Sequence, residues 1–214
     1  MNELLKRGFF GSIYVVIMWF GTAYSERTFQ ILFLVLGLWS IYEMWKLRKG
    51  KPKLVALIMV IIPFFTIQLF GMTDSNYPEM PFNPSLVLLM YILTWTFDSF
   101  AYLTGRKLGK TKILPLISPK KSWEGFFGGV AAALIGAYIL SHYFTILSNK
   151  HWIVLGAIIS LTAVLGDLIE SMFKRSVGVK DSGTLLPGHG GILDRFDSVL
   201  FVIPFVYLYL QFFA

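Results

Sequence analysis

The 214-residue sequence contains no cysteine and few charged residues. The lack of cysteine excludes disulfide bonds and metal sites built from thiolates. Only 14% of the residues are charged, whereas a soluble domain carries about a quarter, and 56% are hydrophobic and 17% aromatic. A chain so poor in charge and so rich in apolar side chains is typical of a membrane protein.

The apolar residues form runs that are long enough to cross a bilayer as helices. A bilayer core needs about 20 helical residues, and a helix pairs its backbone groups within the segment. The short alternating strands of a transmembrane β-barrel are not found. The runs predict an all-α polytopic fold with about seven spans, at residues 8–24, 28–45, 54–72, 85–104, 125–147, 152–173 and 193–213.

One membrane domain, residues 1–214, is the simplest organisation, with scaffold helices in 1–84 and catalytic helices and cytoplasmic loops in 85–214. Polar residues are sparse in the scaffold part. Glu43 lies near a predicted helix end, where it can reach water, and is therefore predicted to be structural.

Basic residues are concentrated on one side of the predicted membrane. All but two of the 19 Lys and Arg residues, Arg27 and Lys150, precede the first span or follow the second, fourth or sixth. Positive residues are retained in the cytoplasm, so the N-terminus is predicted inside and the C-terminus outside. The net charge of +7 suits anionic lipid headgroups and phosphorylated solutes. No DNA-reading module accompanies it, so no nucleic-acid partner is expected.

Carboxylates inside the predicted spans indicate function in the second half of the chain. Asp98 lies in the fourth span, Asp167 and Glu170 lie in the sixth, and Asp194 and Asp197 open the seventh. A carboxylate at membrane depth is costly unless it is paired, hydrated or bound to a cation. Residues three apart share a helix face, so the sixth and seventh helices can present several carboxylates to one pocket near the cytoplasmic surface.

Two interpretations of these carboxylates stay open at this point. Clustered Asp oxygens without His or Cys favour a hard cation such as Mg²⁺. Alternatively, Asp167 and Asp194 form structural ion pairs with basic residues nearby in the sequence, namely Lys174, Arg175 or Arg195.

Two loops add features that suit a phosphate. The loop from Lys180, KDSGTLLPGHGGILDR, has four glycines that allow a close backbone approach, and it leads into a helix N-terminus that favours an anion. His189 could donate to phosphate or transfer a proton, although a lone loop histidine is more often a surface residue. In the loop 105–125, the lysines of SPKKSWEG suit a polyphosphate, but a solvated positive-inside loop has a similar composition.

The run SMFKRSVGVKDSGTLLPGHGGILDRFD, residues 171–197, closely resembles the signature of the phosphatidate cytidylyltransferases, or CDP-diacylglycerol synthases. The segments FDSFAYLTGRKLGK, ISPKKSWEG and GDLIES are also similar to shared stretches of that family. Together they cover residues 94–200, about half of the chain. The signature positions match without insertion at Ser171, Lys174, Arg175, Lys180, Asp181, His189, Gly190, Gly191, Asp194, Arg195 and Asp197.

The resemblance implies the reaction of CTP with phosphatidate to give CDP-diacylglycerol and pyrophosphate. It implies one or two Mg²⁺ ions, with a monovalent ion also allowed, and an active site at the cytoplasmic face of a bacterial inner (plasma) membrane. A homodimer is compatible with it. The implied catalytic residues are Asp167, Asp194, Lys174 and Arg175, and the implied metal ligands are Asp167, Asp194 and Asp197. The implied substrate-binding residues are Asp98, Ser118, Lys120, Lys121, Glu124, Lys180, Asp181, His189 and Arg195.

Other functions remain alternatives at this stage. A polyprenol kinase or CDP-archaeol synthase would also join CTP to a membrane lipid, but the full 171–197 pattern is not expected there. A CDP-alcohol phosphotransferase would need a glycine after its second paired aspartate, where this chain has Ser198. A transporter or cation channel would spread acidic residues along a path open at both faces, and a catalytically inactive homologue would lack some of the polar positions.

Overall fold

The computed structural model describes residues 3–72, 82–185 and 190–214, with the side chains of residues 3–7 left out of the description. His189, a predicted substrate-binding residue, lies outside the described residues. The elements are α1 (Glu3–Ala23), α2 (Glu26–Leu47), α3 (Leu54–Phe70), α4 (Ser85–Leu108), β1 (Lys112–Leu114), β2 (Ser118–Ser122), α5 (Trp123–Tyr143), α6 (Asn149–Arg175), α7 (Leu193–Phe196) and α8 (Val199–Phe213).

The prediction of an all-α membrane protein is confirmed. Helices α2, α4, α5 and α6 are long and apolar enough to cross a bilayer, and three shorter apolar helices cover Gly8–Ala23, Leu54–Phe70 and Val199–Phe213. Large apolar side chains on the outer surfaces are exposed, including Phe20, Leu38 and Phe127. Outward-facing side chains of this kind suit contact with lipid tails rather than with water.

Each of the first six predicted spans corresponds to one helix in the structure, with differences at the ends, and the seventh does not. The segment predicted as one helix over 193–213 is broken, because the short α7 ends at Phe196 and α8 begins at Val199. Helix α4 continues to Leu108, past the predicted end at residue 104. Helix α5 begins at Trp123 because the Ser122 hydroxyl accepts a hydrogen bond from the Gly125 N–H, at 3.2 Å.

Helices α4 and α5 pack closely because α5 presents a row of small residues to its neighbours. The buried positions of α5 recur every four residues, at Gly125, Gly129, Ala133, Ala137 and Ser141. Small side chains allow the backbones of membrane helices to approach, which replaces the hydrophobic driving force that lipid does not supply. This close approach fixes the wall from which α4 and α5 present their polar residues.

The N-terminal helices pack onto the C-terminal ones rather than standing apart. Helix α3 packs against α8, and α2 contacts α7. Arg48, at the end of α2, donates to the Ser176 hydroxyl at 2.6 Å, and its guanidinium lies 5.2 Å from the centre of the Phe173 ring. The basic turn after α2 and the end of α6 therefore meet at the same end of the bundle.

Candidate active site

Residues 112–122, within the predicted loop 105–125, form a β-hairpin between α4 and α5. Strands β1 and β2 pair antiparallel, with a register irregularity between Lys112 and Leu114. Glu124, in the first turn of α5, accepts hydrogen bonds from the backbone N–H groups of Lys110 (3.2 Å) and Thr111 (3.0 Å). Glu124 was predicted to contact substrate, but its contacts in the structure fix the base of the hairpin.

A cavity of about 610 Å³ lies between α4, the hairpin, α5 and α6. Tyr102, Phe126 and Val164 supply apolar surface to its walls. The structure brings five of the predicted site residues together here, and Arg106, Lys112 and Ser122 join them. The five predicted residues are Asp98, Ser118, Lys120, Lys121 and Asp167.

Lys121 and Asp167 connect the hairpin to α6 across this cavity. The Lys121 ammonium lies 2.6 Å from the Asp167 carboxylate, and both side chains are about one-quarter exposed, at 23% and 27%. The other Asp167 oxygen accepts a hydrogen bond from the Ser171 hydroxyl at 3.2 Å. A charged pair at a partly hydrated cavity wall can exchange partners with a charged ligand at little cost, because water can solvate the groups during the exchange.

Further carboxylates lie beside this pair. The Asp98 carboxylate accepts a long hydrogen bond, 3.5 Å, from the Ser198 hydroxyl. The Asp197 carboxylate is within electrostatic reach of Asp98, Asp167 and Glu170. The break between α7 and α8 thus brings Asp197 towards the acidic residues of α4 and α6.

Lys174 is the centre of a second, more buried network. Its ammonium forms ion pairs with Glu170, one turn earlier on α6, and with Asp194 at 2.7 Å. Lys174 is only 7% exposed and Glu170 is fully buried. The sequence alternative of an Asp194–Lys174 ion pair is therefore realised in the structure, whereas Asp167 pairs with Lys121 instead.

Asp194 also holds the glycine-containing loop. Its second oxygen accepts from the Ser182 N–H, the Ser182 hydroxyl and the Gly191 N–H, at 2.8 to 3.0 Å. Burial raises the pKa of the Asp194 carboxyl, but the hydrogen bonds from Lys174, Gly191 and Ser182 outweigh burial and hold this pKa below its ordinary value. Asp194 is therefore ionised, and as a carboxylate it anchors the loop.

Glu43 reaches the same loop from α2. It is 4% exposed, so the prediction that it reaches water near a helix end was wrong. Its oxygens accept from the backbone N–H groups of Ile192 and Leu193, at 3.1 and 2.9 Å, and from the Ser182 hydroxyl at 3.0 Å. The only sequence signal for this role was a carboxylate within an otherwise apolar helix.

Residues 4–213 match the sequence profile of a family described as the cytidylyltransferase family. This match covers nearly the whole chain. The chain belongs to the cytidylyltransferase family. The resemblance predicted from the 171–197 signature is confirmed, and so, at the level of the family, is the prediction of a nucleotidyltransferase.

Several relatives of this cytidylyltransferase family carry the name phosphatidate cytidylyltransferase. The protein of Haemophilus influenzae is 38% identical over 204 residues, which cover 92% of this chain and 67% of the relative. The protein of Rickettsia bellii is 34% identical over 206 residues, covering 92% and 84%. The protein of Staphylococcus aureus is 52% identical over 120 residues, covering 55% and 46%. The chain thus spans between about half and five-sixths of the length of these relatives.

Other predicted site residues of the cytidylyltransferase lie away from the cavity. Arg175 is exposed and donates to the Val179 carbonyl at 2.7 Å, which closes the turn after α6. Lys180, Asp181 and Arg195 are exposed and do not line the cavity. Their substrate contacts stay predictions.

A divalent ion fits the chemistry of the acidic residues, although no ready-made cage is present in the described parts of the chain. Among residues 3–72, 82–185 and 190–214, no three carboxylate or histidine side chains are grouped as a metal site. Asp98, Asp167 and Glu170 nevertheless each lie within electrostatic reach of Asp197. Hard oxygen donors with surplus negative charge are the ligands that Mg²⁺ takes, with water and substrate phosphate completing its shell.

Proposed function

We propose that the chain transfers the cytidylyl group of CTP to phosphatidate, giving CDP-diacylglycerol and pyrophosphate. One observation carries the proposal: a cavity among membrane helices of a cytidylyltransferase combines Lys120 and Lys121 with Asp98 and Asp167. Cations suit the phosphates of a nucleotide, and acidic residues suit the ion that accompanies them. The names of the relatives supply the lipid acceptor.

The basic lining of the cavity is proposed to bind the triphosphate of CTP. Lys120 and Lys121 belong to β2, Lys112 belongs to β1, and Arg106 belongs to the last turn of α4. Because both hairpin strands contribute a cation, the hairpin can contact several phosphates at once. Ser118 and Ser122 add hydroxyls that can donate to phosphate oxygens.

The chemistry requires little proton transfer from the protein. A phosphate oxygen of phosphatidate attacks the α-phosphorus of CTP, the new P–O bond forms, and the bond to the β-phosphate breaks to release pyrophosphate. The nucleophile is already anionic, so the side chains contribute mainly by placing the two substrates in line and by neutralising charge. In the described part of the chain, Lys121 and Lys174 form ion pairs with the acidic residues and are proposed to neutralise charge on the phosphates. Arg175, which is exposed at the end of α6, is proposed to add positive charge at the edge of the site.

Mg²⁺ is proposed as the cofactor, held by Asp167 and Asp197 with Asp194, in a site for one or two ions. When bound, it would supply positive charge that offsets the repulsion between two anionic substrates. The acidic side chains place their carboxylate oxygens, which are hard ligands, beside the cavity. In the structure the Asp194 oxygens accept from Lys174, Ser182 and Gly191, so a metal ion would have to replace at least one of these donors to reach this carboxylate.

The finer topology is also proposed. Helices α1 to α6 and α8 would make seven spans, with the N-terminus and the cavity at the cytoplasmic side of a bacterial inner membrane. The positive-inside distribution supports this orientation. Further support comes from Arg48–Ser176 and Lys121–Asp167, since these contacts place three of the basic segments at the same end of the bundle.

The proposed reaction is tested with detergent-purified protein, CTP labelled at the α-phosphate, phosphatidate and Mg²⁺. Label should enter the lipid extract with wild-type protein and with Glu26→Gln, a carboxylate substitution near the opposite end of α2. It should not enter with Asp167→Asn. A parallel reaction with CTP labelled at the γ-phosphate tests for a lipid kinase. Label that enters polyprenol from γ-labelled CTP, with none entering lipid from α-labelled CTP, would move the function to a lipid kinase. Absence of transfer to any lipid would contradict the proposal.

A further inference from the structure

Glu43 is a buried carboxylate with an unusual number of hydrogen-bond donors from distant parts of the chain. It accepts from the Trp39 indole N–H at 3.0 Å on its own helix, α2. It also accepts from the N–H groups of Ile192 and Leu193 and from the Ser182 hydroxyl. A buried charge is retained only when its lone pairs are satisfied, and here most of the donors belong to the loop between α6 and α7.

Glu43 and Asp194 hold the two sides of this loop together. The Ser182 hydroxyl oxygen lies 3.0 Å from an oxygen of each carboxylate, and its single hydrogen can be donated to either of them. Asp194 in turn accepts from the Lys174 ammonium at 2.7 Å. One serine therefore separates Glu43 from the Lys174–Asp194 pair, so the position of Glu43 is coupled to the position of that pair.

Two glycines of the loop make room for the Glu43 carboxylate. A Cβ atom at Gly183 would lie 2.7 Å from a Glu43 oxygen and 3.1 Å from its carboxyl carbon. A Cβ atom at Gly191 would collide with both Glu43 oxygens and the Ser182 hydroxyl. The sequence pattern predicted that these glycines admit a ligand phosphate, but the group that lies against Gly183 and Gly191 in the structure is a carboxylate of the same chain.

We propose that Glu43 is a positioning residue for the transfer reaction. Glu43 fixes Ser182 and the Ile192–Leu193 backbone, and these groups determine the position of the Asp194 carboxylate. Asp194 in turn holds the Lys174 ammonium in the position from which it can contact the substrate phosphates. This inference rests on the proposed function. It gives a helix from the scaffold half a direct part in the geometry of the active site.

The first test compares Glu43→Ala, Glu43→Gln and the control Glu26→Gln. Binding sites are counted with labelled α,β-methylene-CTP, and turnover is expressed per binding site. The cavity is lined by α4, the hairpin, α5 and α6, and none of the four residues described as donating to Glu43 lines it. Nucleotide affinity should therefore stay within about twofold, whereas turnover per site should fall by about 10- to 100-fold in Glu43→Ala, as expected when reacting groups are misplaced by about 1 Å.

Glu43→Gln should be intermediate, because its amide oxygen still accepts a hydrogen bond while its NH₂ group cannot. The inference is overturned if total activity of Glu43→Ala falls only in proportion to the number of binding sites, so that turnover per site is unchanged, since Glu43 would then affect folding alone.

Hydrogen exchange separates a failure of this inference from a failure of the proposed function. Amides in residues 190–196 should exchange faster in Glu43→Ala than in wild type, while those of the hairpin, residues 112–122, should not change. This result is expected whichever lipid acceptor the protein uses. If residues 190–196 exchange at the same rate in Glu43→Ala and in wild type, Glu43 does not hold the loop.

A double-mutant cycle gives a second, independent test. Gly183→Ala should lower turnover per site because the added methyl displaces the Glu43 carboxylate. The backbone φ angle of Gly183 is not positive, so alanine fits the backbone conformation at this position without strain. In a Glu43→Ala background the same change should have an effect of less than about twofold, since the opposing group is gone. Additive effects of the two substitutions would contradict the positioning role.

Discussion

The Lys121 ammonium lies 2.6 Å from the Asp167 carboxylate and so connects the β-hairpin to the sixth helix. The two residues are 46 positions apart in numbering and belong to different predicted motifs, SPKKSWEG and GDLIES. Their contact places a cation expected to bind phosphate beside a carboxylate expected to bind a metal. A nucleotide with its ion presents both charges, so it can replace the internal pair with matching contacts of its own.

Replacing Lys121 tests whether this cation acts on the substrate. Lys121→Met keeps much of the side-chain length but removes the charge, and it leaves Asp167 without its ammonium partner. Turnover should fall by about 100-fold or more, a typical effect of removing a preorganised charge that stabilises a transition state. The matched control is Lys107→Met, since Lys107 is exposed on α4 and does not line the cavity. Equal rates for the two variants would exclude a catalytic role for Lys121.

Metal dependence tests the acidic cluster. Activity should disappear with EDTA and return with added Mg²⁺. In Asp197→Asn, the Mg²⁺ concentration for half-maximal activity should rise by about tenfold or more, because a charged oxygen ligand is lost. At saturating Mg²⁺ the KM for CTP should change little, since Asp197 does not line the cavity. An unchanged Mg²⁺ requirement would remove Asp197 from the set of ligands.

Glu124 distinguishes positioning of the hairpin from direct substrate contact. Glu124→Ala removes the acceptor for the Lys110 and Thr111 N–H groups, which should loosen the strands that carry Lys120 and Lys121. Because Lys120 and Lys121 would then be held less rigidly, ordering them on the nucleotide would cost more, and the KM for CTP should rise while kcat changes less. Glu124→Gln keeps one acceptor oxygen and should be milder. A large fall in kcat at constant KM would instead favour the direct substrate contact that the resemblance implied.

The helices and several cavity residues could be predicted from the sequence because their signals are local. Long apolar runs indicate the helices, and Asp98 and Asp167 stand out as charges within such runs. The hairpin was not predicted, since KIL and SPKKS are too short and too polar to show the alternation of a strand. Short strands of this kind depend on tertiary contacts such as those of Glu124.

Glu43 shows why other features needed the structure. Its partner Leu193 is 150 residues away, and no local pattern connects a carboxylate in α2 with a glycine-containing loop near the end of the chain. The break between α7 and α8 was hidden for a similar reason. The apolar run that follows Asp197 favours one continuous helix, whereas in the structure the short α7 contacts α2, which is distant in the sequence.

The close packing of α4 on α5 gives a prediction about stability rather than catalysis. A Cβ atom at Gly129 would lie 2.8 Å from the Phe97 ring and 2.9 Å from the Phe97 carbonyl oxygen, so Gly129→Ala must push the helices apart. Overpacking of this kind costs about 1–3 kcal/mol and should lower the melting temperature in detergent by several degrees. Gly8→Ala is the matched control, because nothing lies within 4 Å of its added methyl. Alanine is favoured over glycine inside a helix, so Gly8→Ala should melt at or slightly above the wild-type temperature. Equal melting of Gly129→Ala and wild type would mean that Phe97 does not pack against the α5 backbone, and the cavity wall formed by Phe97 and Asp98 would then have to be placed differently.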